Sequence, residues 1–92
     1  MAWKEEIRKD RMGNIVYEKY SLRVGKLYLT VVRGHINWPD KWVGNCPPLF
    51  NYVNLNASSA EEAKLKAFAA FCRDFYHMRE EFEKLEAQLR PV

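Results

Sequence analysis

His35, His77, Cys46 and Cys72 are the side chains of this chain best suited to hold a metal or act as a nucleophile. A zinc site needs three or four ligands that converge in space. No pair among these four stands at a ligand spacing, and no CxxC is present. Nor is there a Ser-centred elbow, a Gly-rich phosphate loop, an HExxH run or a setting of paired carboxylates. Cys72 lies between Phe71 and Phe75 in a helical run, where a thiol packs as a small hydrophobe. Nothing in the sequence supports a Cys–His nucleophile pair. The expectation is a non-catalytic protein with no metal and no cofactor, one that works by contact.

Three groups of residues are suited to contact. Trp38 and Trp42 flank Pro39, Asp40 and Lys41 and would make good interface anchors. The competing reading is that they close the end of a sheet. The cations Arg8, Lys9, Arg11, Lys19, Arg23, Lys26 and Arg33 are interleaved with Tyr17, Tyr20 and Tyr28. On alternating strands they would form a basic, aromatic face on which bases stack and phosphates are neutralised, or simply a solvated outer face. The candidate partner-binding residues are Trp38, Trp42, Lys41, Arg23, Lys26, Arg33 and Tyr28. The third group is an apolar seam, Phe75, Met78, Phe82, Leu85 and Leu89, suited to a homodimer or a docked partner.

The elements that must position these residues follow from periodicity and punctuation. Gly13-Asn14 marks a turn, and Ile15–Val24 reads as a strand. Gly25-Lys26 reads as a tight hairpin turn into Leu27–Arg33, the clearest strand. In that strand Leu27, Leu29 and Val31 share one face. Residues 34–48 hold three prolines and two glycines and read as a long loop. Loops of that length are often functional. A last strand is expected at about 49–55. Residues 1–12 read as a charged segment, either a short helix or a first exposed strand.

Ser59-Ala60-Glu61-Glu62 is a capping box and opens a helix expected over 59–89, with Pro91 as its stop. Its large apolar residues step by three or four from Phe68 to Leu89. Some thirty residues make a rod of roughly 45 Å, whereas a strand of five or six residues spans about 17–20 Å. The first half of such a helix can cover a small sheet, and the second half needs another partner. Either residues 1–12 fold back over it, a break near Asp74–His77 bends it home, or another molecule covers it.

The 92 residues fit one domain of ordinary composition, 48% apolar and 29% charged. Aromatic residues are frequent at 14%. The net charge is +3 and unevenly placed: residues 1–45 carry nine Lys or Arg against five acids, residues 46–92 six against seven. The bias permits an acidic or phosphate-bearing partner and argues against a protein that imitates DNA by negative charge. Two distant cysteines make no disulfide framework and fit reduced thiols. The first residues lack the apolar run of a signal peptide, and no stretch approaches a membrane span. A cytoplasmic protein without membrane contact is expected.

Two resemblances add to this reading. The block Asn56-Ala57-Ser58-Ser59-Ala60-Glu61-Glu62-Ala63-Lys64, after three or so strands, resembles the last third of a double-stranded-RNA-binding domain. That family runs α-β-β-β-α, and lysines opening its final helix meet phosphates. Ala63-Lys64 matches the pattern, while the other lysine positions hold Ala60, Glu61 and Glu62. The plan of a short sheet, a Trp-bearing segment and a Ser-x-x-Glu-Ala helix is also similar to small phage-encoded accessory proteins of the anti-CRISPR type. That resemblance implies a stoichiometric inhibitor from a phage or mobile element, acting in the host cytoplasm. It would dock on a host protein or nucleoprotein complex such as a CRISPR effector and block it sterically.

The expected fold is α+β: a three- to four-stranded antiparallel sheet with one long C-terminal helix across one face. Leu65, Phe68, Phe71, Cys72 and Phe75 should meet Leu27, Leu29, Val31, Val53 and Leu55 in the core. The expected function is steric inhibition of a host complex. The alternative is a nucleic-acid-binding module using the basic aromatic face.

Overall fold

The computed structural model describes residues 3–90. Five strands, β1 (Lys4–Lys9), β2 (Ile15–Val24), β3 (Leu27–His35), β4 (Trp38–Cys46) and β5 (Phe50–Asn54), precede one helix, α1 (Ala60–Leu89). The strands form a single antiparallel meander in the order β1-β2-β3-β4-β5. The α+β class and the long C-terminal helix are as expected, but the sheet has five strands rather than three or four.

The charged first segment takes the exposed-strand alternative as β1, and β4 was hidden by its composition. β1 reads Lys-Glu-Glu-Ile-Arg-Lys, with little intrinsic strand preference. Its ladder with β2 holds it extended, and its charges suit an edge open to solvent. β4 occupies most of the expected loop 34–48. Its Pro39 falls in the irregular stretch between the Arg33–Trp42 and His35–Trp38 pairs, where the regular ladder is interrupted. Gly44 is there for packing: a Cβ on it would lie 3.1 Å from Leu55 Cδ2. Gly34, at φ +89°, sits at the β3 irregularity, and a Cβ on it would collide with the Val16 carbonyl oxygen. Pro47 and Pro48, joined by a cis peptide bond, fall in the β4–β5 turn. The Gly25-Lys26 hairpin is present, with Gly25 at φ +62°. That geometry suits a two-residue turn with glycine at its first central position.

α1 is one unbroken helix of 30 residues. Its first turn is capped as expected: the Glu62 amide donates to Ser59 Oγ at 3.2 Å. The reciprocal half of the box is replaced. The Glu62 carboxylate accepts from Ser58 Oγ at 3.0 Å and pairs with Lys66 at 3.0 Å, contacts that hold its pKa below the usual range, Lys66 first. Pro91 lies outside the described residues.

The core sits between α1 and one face of the sheet. Tyr20, Leu22, Leu29, Val31, Trp42, Cys46, Phe50 and Leu55 meet Ala63, Ala67 and Phe71 there. The small alanines let the helix approach β3 and β4 closely. Phe68, Cys72, Leu27 and Val53 pack around this cluster. Two expected core residues do not join it: Leu65 is 74% exposed and Phe75 is 42% exposed. Leu65 lies two residues from both Ala63 and Ala67, on the flank of the helix, and Phe75 lies where α1 leaves the sheet. Beyond Asp74 every described helical side chain is exposed, and the molecule extends 68 × 22 × 20 Å. The N-terminal segment does not fold back over the free half; it is committed to the sheet edge as β1.

Candidate nucleic-acid interface

Side chains alternate across a sheet, so the residues between the core positions point away from α1. The register arranges them in cross-strand rows. Arg8 stands beside Tyr17. Glu6, Lys19, Val32 and Val43 form a second row, and Lys4, Ser21, Thr30 and Asn45 a third. Arg23 stands beside Tyr28. α1 packs on the opposite side, over the core face.

Two aromatic–cation pairs mark the ends of the face. The Arg8 guanidinium lies 4.8 Å from the Tyr17 ring centre, and that of Arg23 lies 5.9 Å from the Tyr28 ring centre. Arg23 Nε also donates to the Gly25 carbonyl at 2.9 Å, which fixes the guanidinium near the hairpin. Between the pairs, Val32 and Val43 are buried although they lie outside the helix-side core. The half-buried Lys19 stands directly across from Val32, where its alkyl stem can lie on the apolar floor with its ammonium in water. A shallow depression of about 130 Å³ is lined by Lys4, Ser21, Arg23 and Tyr28. In the floor of the face Thr30 Oγ1 donates to the Asn45 carbonyl at 3.1 Å, and Asn45 Oδ1 has no partner among the described residues.

The face is strongly biased in charge. Lys4, Arg8, Lys19 and Arg23 stand against one acid, Glu6, which is 3.0 Å from Arg8. Acids of the same strands fall on the other side: Glu5 pairs with Tyr20, and Glu18 accepts from the Tyr20 hydroxyl at 2.9 Å. Burial, with that hydrogen bond second, pushes the Tyr20 phenol up to about 12. Alternation has therefore sorted one mixed sequence into a basic face and a face that is apolar with an acidic margin.

The sequence candidates are divided by this geometry. Arg23 and Tyr28 share the open face with Arg8, Tyr17 and Lys19, whereas Lys41 falls in the irregular stretch of β4 just before Trp42. Lys26 lies in the hairpin turn at its edge. Arg33 pairs with Trp42 and so belongs to the helix side, where it borders a depression of about 370 Å³ with Glu18 and Asp40. Trp42 cannot anchor a partner, because its ring is 5% exposed and packs in the core, 6.3 Å from that of Tyr20. It closes the sheet instead. Trp38 remains at the surface, with ring centres 5.1 Å from His35 and 5.9 Å from Tyr52. Val53, next to Tyr52, pairs with Gly44, six residues from Trp38, or about 20 Å of flat strand. Contact between the two rings therefore requires the β3–β4 hairpin to curl. Lys4 was missed by sequence reasoning; only its register opposite Ser21 reveals it.

The two cysteines lie on the core side of the sheet, apart from this face. Cys46 is buried and free, and burial pushes its thiol up, which disfavours the nucleophilic thiolate. Cys72 is also free and packs beside the core. No group of three or more His, Cys, Asp or Glu that could hold a metal occurs among the described residues. Lys64, the residue matching the RNA-binding pattern, lies on the helix side with its ammonium 4.3 Å from the Tyr20 ring centre. The element order is also β-β-β-β-β-α, not the α-β-β-β-α of that family. No described helix is long and apolar enough to cross a membrane. No family model, curated protein or solved structure matches the chain.

Proposed function

We propose that this protein is a non-catalytic binding module whose open sheet face takes a single-stranded nucleic acid. The observation that carries the reading is the pairing of cation and ring at both ends of a basic sheet face, Arg8 with Tyr17 and Arg23 with Tyr28. A single strand offers what such a face can use: phosphates for Lys4 and Lys19, and unpaired bases whose faces stack on tyrosine. A duplex hides those faces.

A salt titration of a labelled oligothymidylate tests it. Affinity should fall with salt at a logarithmic slope of about −0.7 per phosphate neutralised. Lys19→Glu and Arg23→Glu should each weaken binding and flatten that slope. Tyr28→Ala should weaken binding by about tenfold, the loss of one stacked base, with the slope unchanged. Absence of binding at low salt would end this reading.

A second reading, a steric inhibitor of a larger host nucleoprotein complex such as a CRISPR effector, is favoured by a different observation. Trp38 and the apolar stripe of α1 are both exposed, and neither has a role in holding a nucleic-acid strand. Under this reading the basic face competes at the complex's own nucleic-acid path. Capture from extract treated with nuclease separates the two: a retained protein complex supports inhibition, and loss of all capture supports direct nucleic-acid binding.

A further inference from the structure

Phe75, Met78, Phe82, Leu85 and Leu89 run along the free half of α1, all exposed. A shallow depression of about 310 Å³ lies among Phe75, Met78, Arg79 and Phe82. We propose that this stripe is closed by a second copy of the chain whose helix runs antiparallel to the first. The proposal is independent of the nucleic-acid reading, since it uses the other end of the molecule.

Spacing shows that the occupant is a helix. The five residues step by three and four in strict alternation. That is a seven-residue repeat of period 3.5, which keeps a seam facing another helix along its whole length.

Direction shows that a copy of this chain must run antiparallel. Ala63, Ala67 and Phe71, which cover the chain's own sheet, continue into the same stripe at helical spacing. The free half therefore presents its apolar side on the side where the sheet already lies. A parallel copy would bring its own sheet into that space. An antiparallel copy brings only the end of a helix there.

Charge selects the register. With Phe82 opposite the partner's Leu85, and Met78 opposite the partner's Leu89, the flanking positions place Arg79 beside the partner's Glu86. The same register places Glu81 beside the partner's Gln88. Two-fold symmetry repeats both pairs, and no like charges meet. Sliding the copies by one heptad sets Arg79 against the partner's Arg79 and Glu81 against the partner's Glu81. A parallel alignment sets Glu81 against the partner's Glu86. The favoured register also leaves Phe71 to its own sheet. Arg79 and Glu86 hold only exposed pairs within their own helix, with Glu83 at 3.2 Å and Arg90 at 3.0 Å, and both can turn to the partner.

Sedimentation equilibrium of the full chain, without nucleic acid, tests the proposal. The chain should be a dimer that Phe82→Glu converts to a monomer, with buried-Trp42 fluorescence unchanged to show that the body remains folded. Arg79→Glu and Glu86→Arg should each weaken self-association by about tenfold, because each sets two like-charged pairs across the seam. Mixing these two variants should restore a tight heterodimer, because each supplies the charge the other needs. A monomer at every concentration, a dimer indifferent to Phe82→Glu, or variants that do not associate on mixing would each overturn the proposal.

Discussion

Single side chains decide much of this structure through where their backbone puts them. Trp38 and Trp42 stand four residues apart in one strand and have opposite fates, surface and core. Trp42→Ala should cost about 3–5 kcal/mol, as for other large aromatic deletions in a packed core. Trp38→Ala should cost far less; urea titration of the two variants checks the contrast. Gly34 is a second such position. Gly34→Ala combines a backbone that disfavours side chains with a collision against the Val16 carbonyl, and should cost about 1–3 kcal/mol in the same measurement. Tyr20 gives a pH dependence. Its phenol holds its proton up to about 12 in the folded chain, against an ordinary value of 10.0. Between those values the unfolded chain loses the proton first, so the stabilisation present below pH 10 declines as pH rises. Tyr20→Phe should remove that part of the alkaline decline, read as unfolding midpoints across the same pH range.

At the scale of elements, the helix was legible and the strands were legible in part. Ser59 and its following acids, with apolar steps of three and four, placed α1 within a residue of its observed start. The same pattern did not reveal which helical residues touch the sheet. The small Ala63 and Ala67 are the contact, while the larger Leu65 stands in solvent. Ala67→Leu should therefore destabilise by about 1–3 kcal/mol through overpacking, and Leu65→Ala should change stability little. Thermal unfolding of the two variants would separate these outcomes; equal losses would contradict the packing. β1 was legible only as one of two alternatives, and β4 was not legible, for a physical reason. A strand's evidence lies partly in its neighbour's ladder, and Lys-Glu-Glu-Ile-Arg-Lys carries no apolar alternation to announce it. In β4, Pro39 and Gly44 imitate a loop because one sits at a ladder irregularity and the other makes room for Leu55.

The whole molecule has two surfaces of different character at different places. The sheet body presents a basic, ring-bearing face, and the helix carries an apolar stripe beyond it, within a particle 68 Å long. Their functions should be separable. Phe82→Glu should abolish self-association and leave the affinity of one sheet face for a short oligothymidylate unchanged. Lys19→Glu should do the reverse. A longer strand should bind the dimer more tightly than the monomer only if it can span both faces, because linking two sites helps only when both can be engaged together.

By itself the sequence determined the α+β class, the long capped helix, its surplus apolar stripe and the basic bias of the first half. Each is written in local spacing or local composition, and spacing survives without knowledge of neighbours. Only tertiary structure decided that Trp42 is core, that Arg33 and Tyr20 belong to the helix side, and that Lys4 joins Lys19 and Arg23. Those assignments depend on which residues face each other across strands. A ladder register links residues far apart in the chain, and shifting it by one residue would exchange the two faces of a strand.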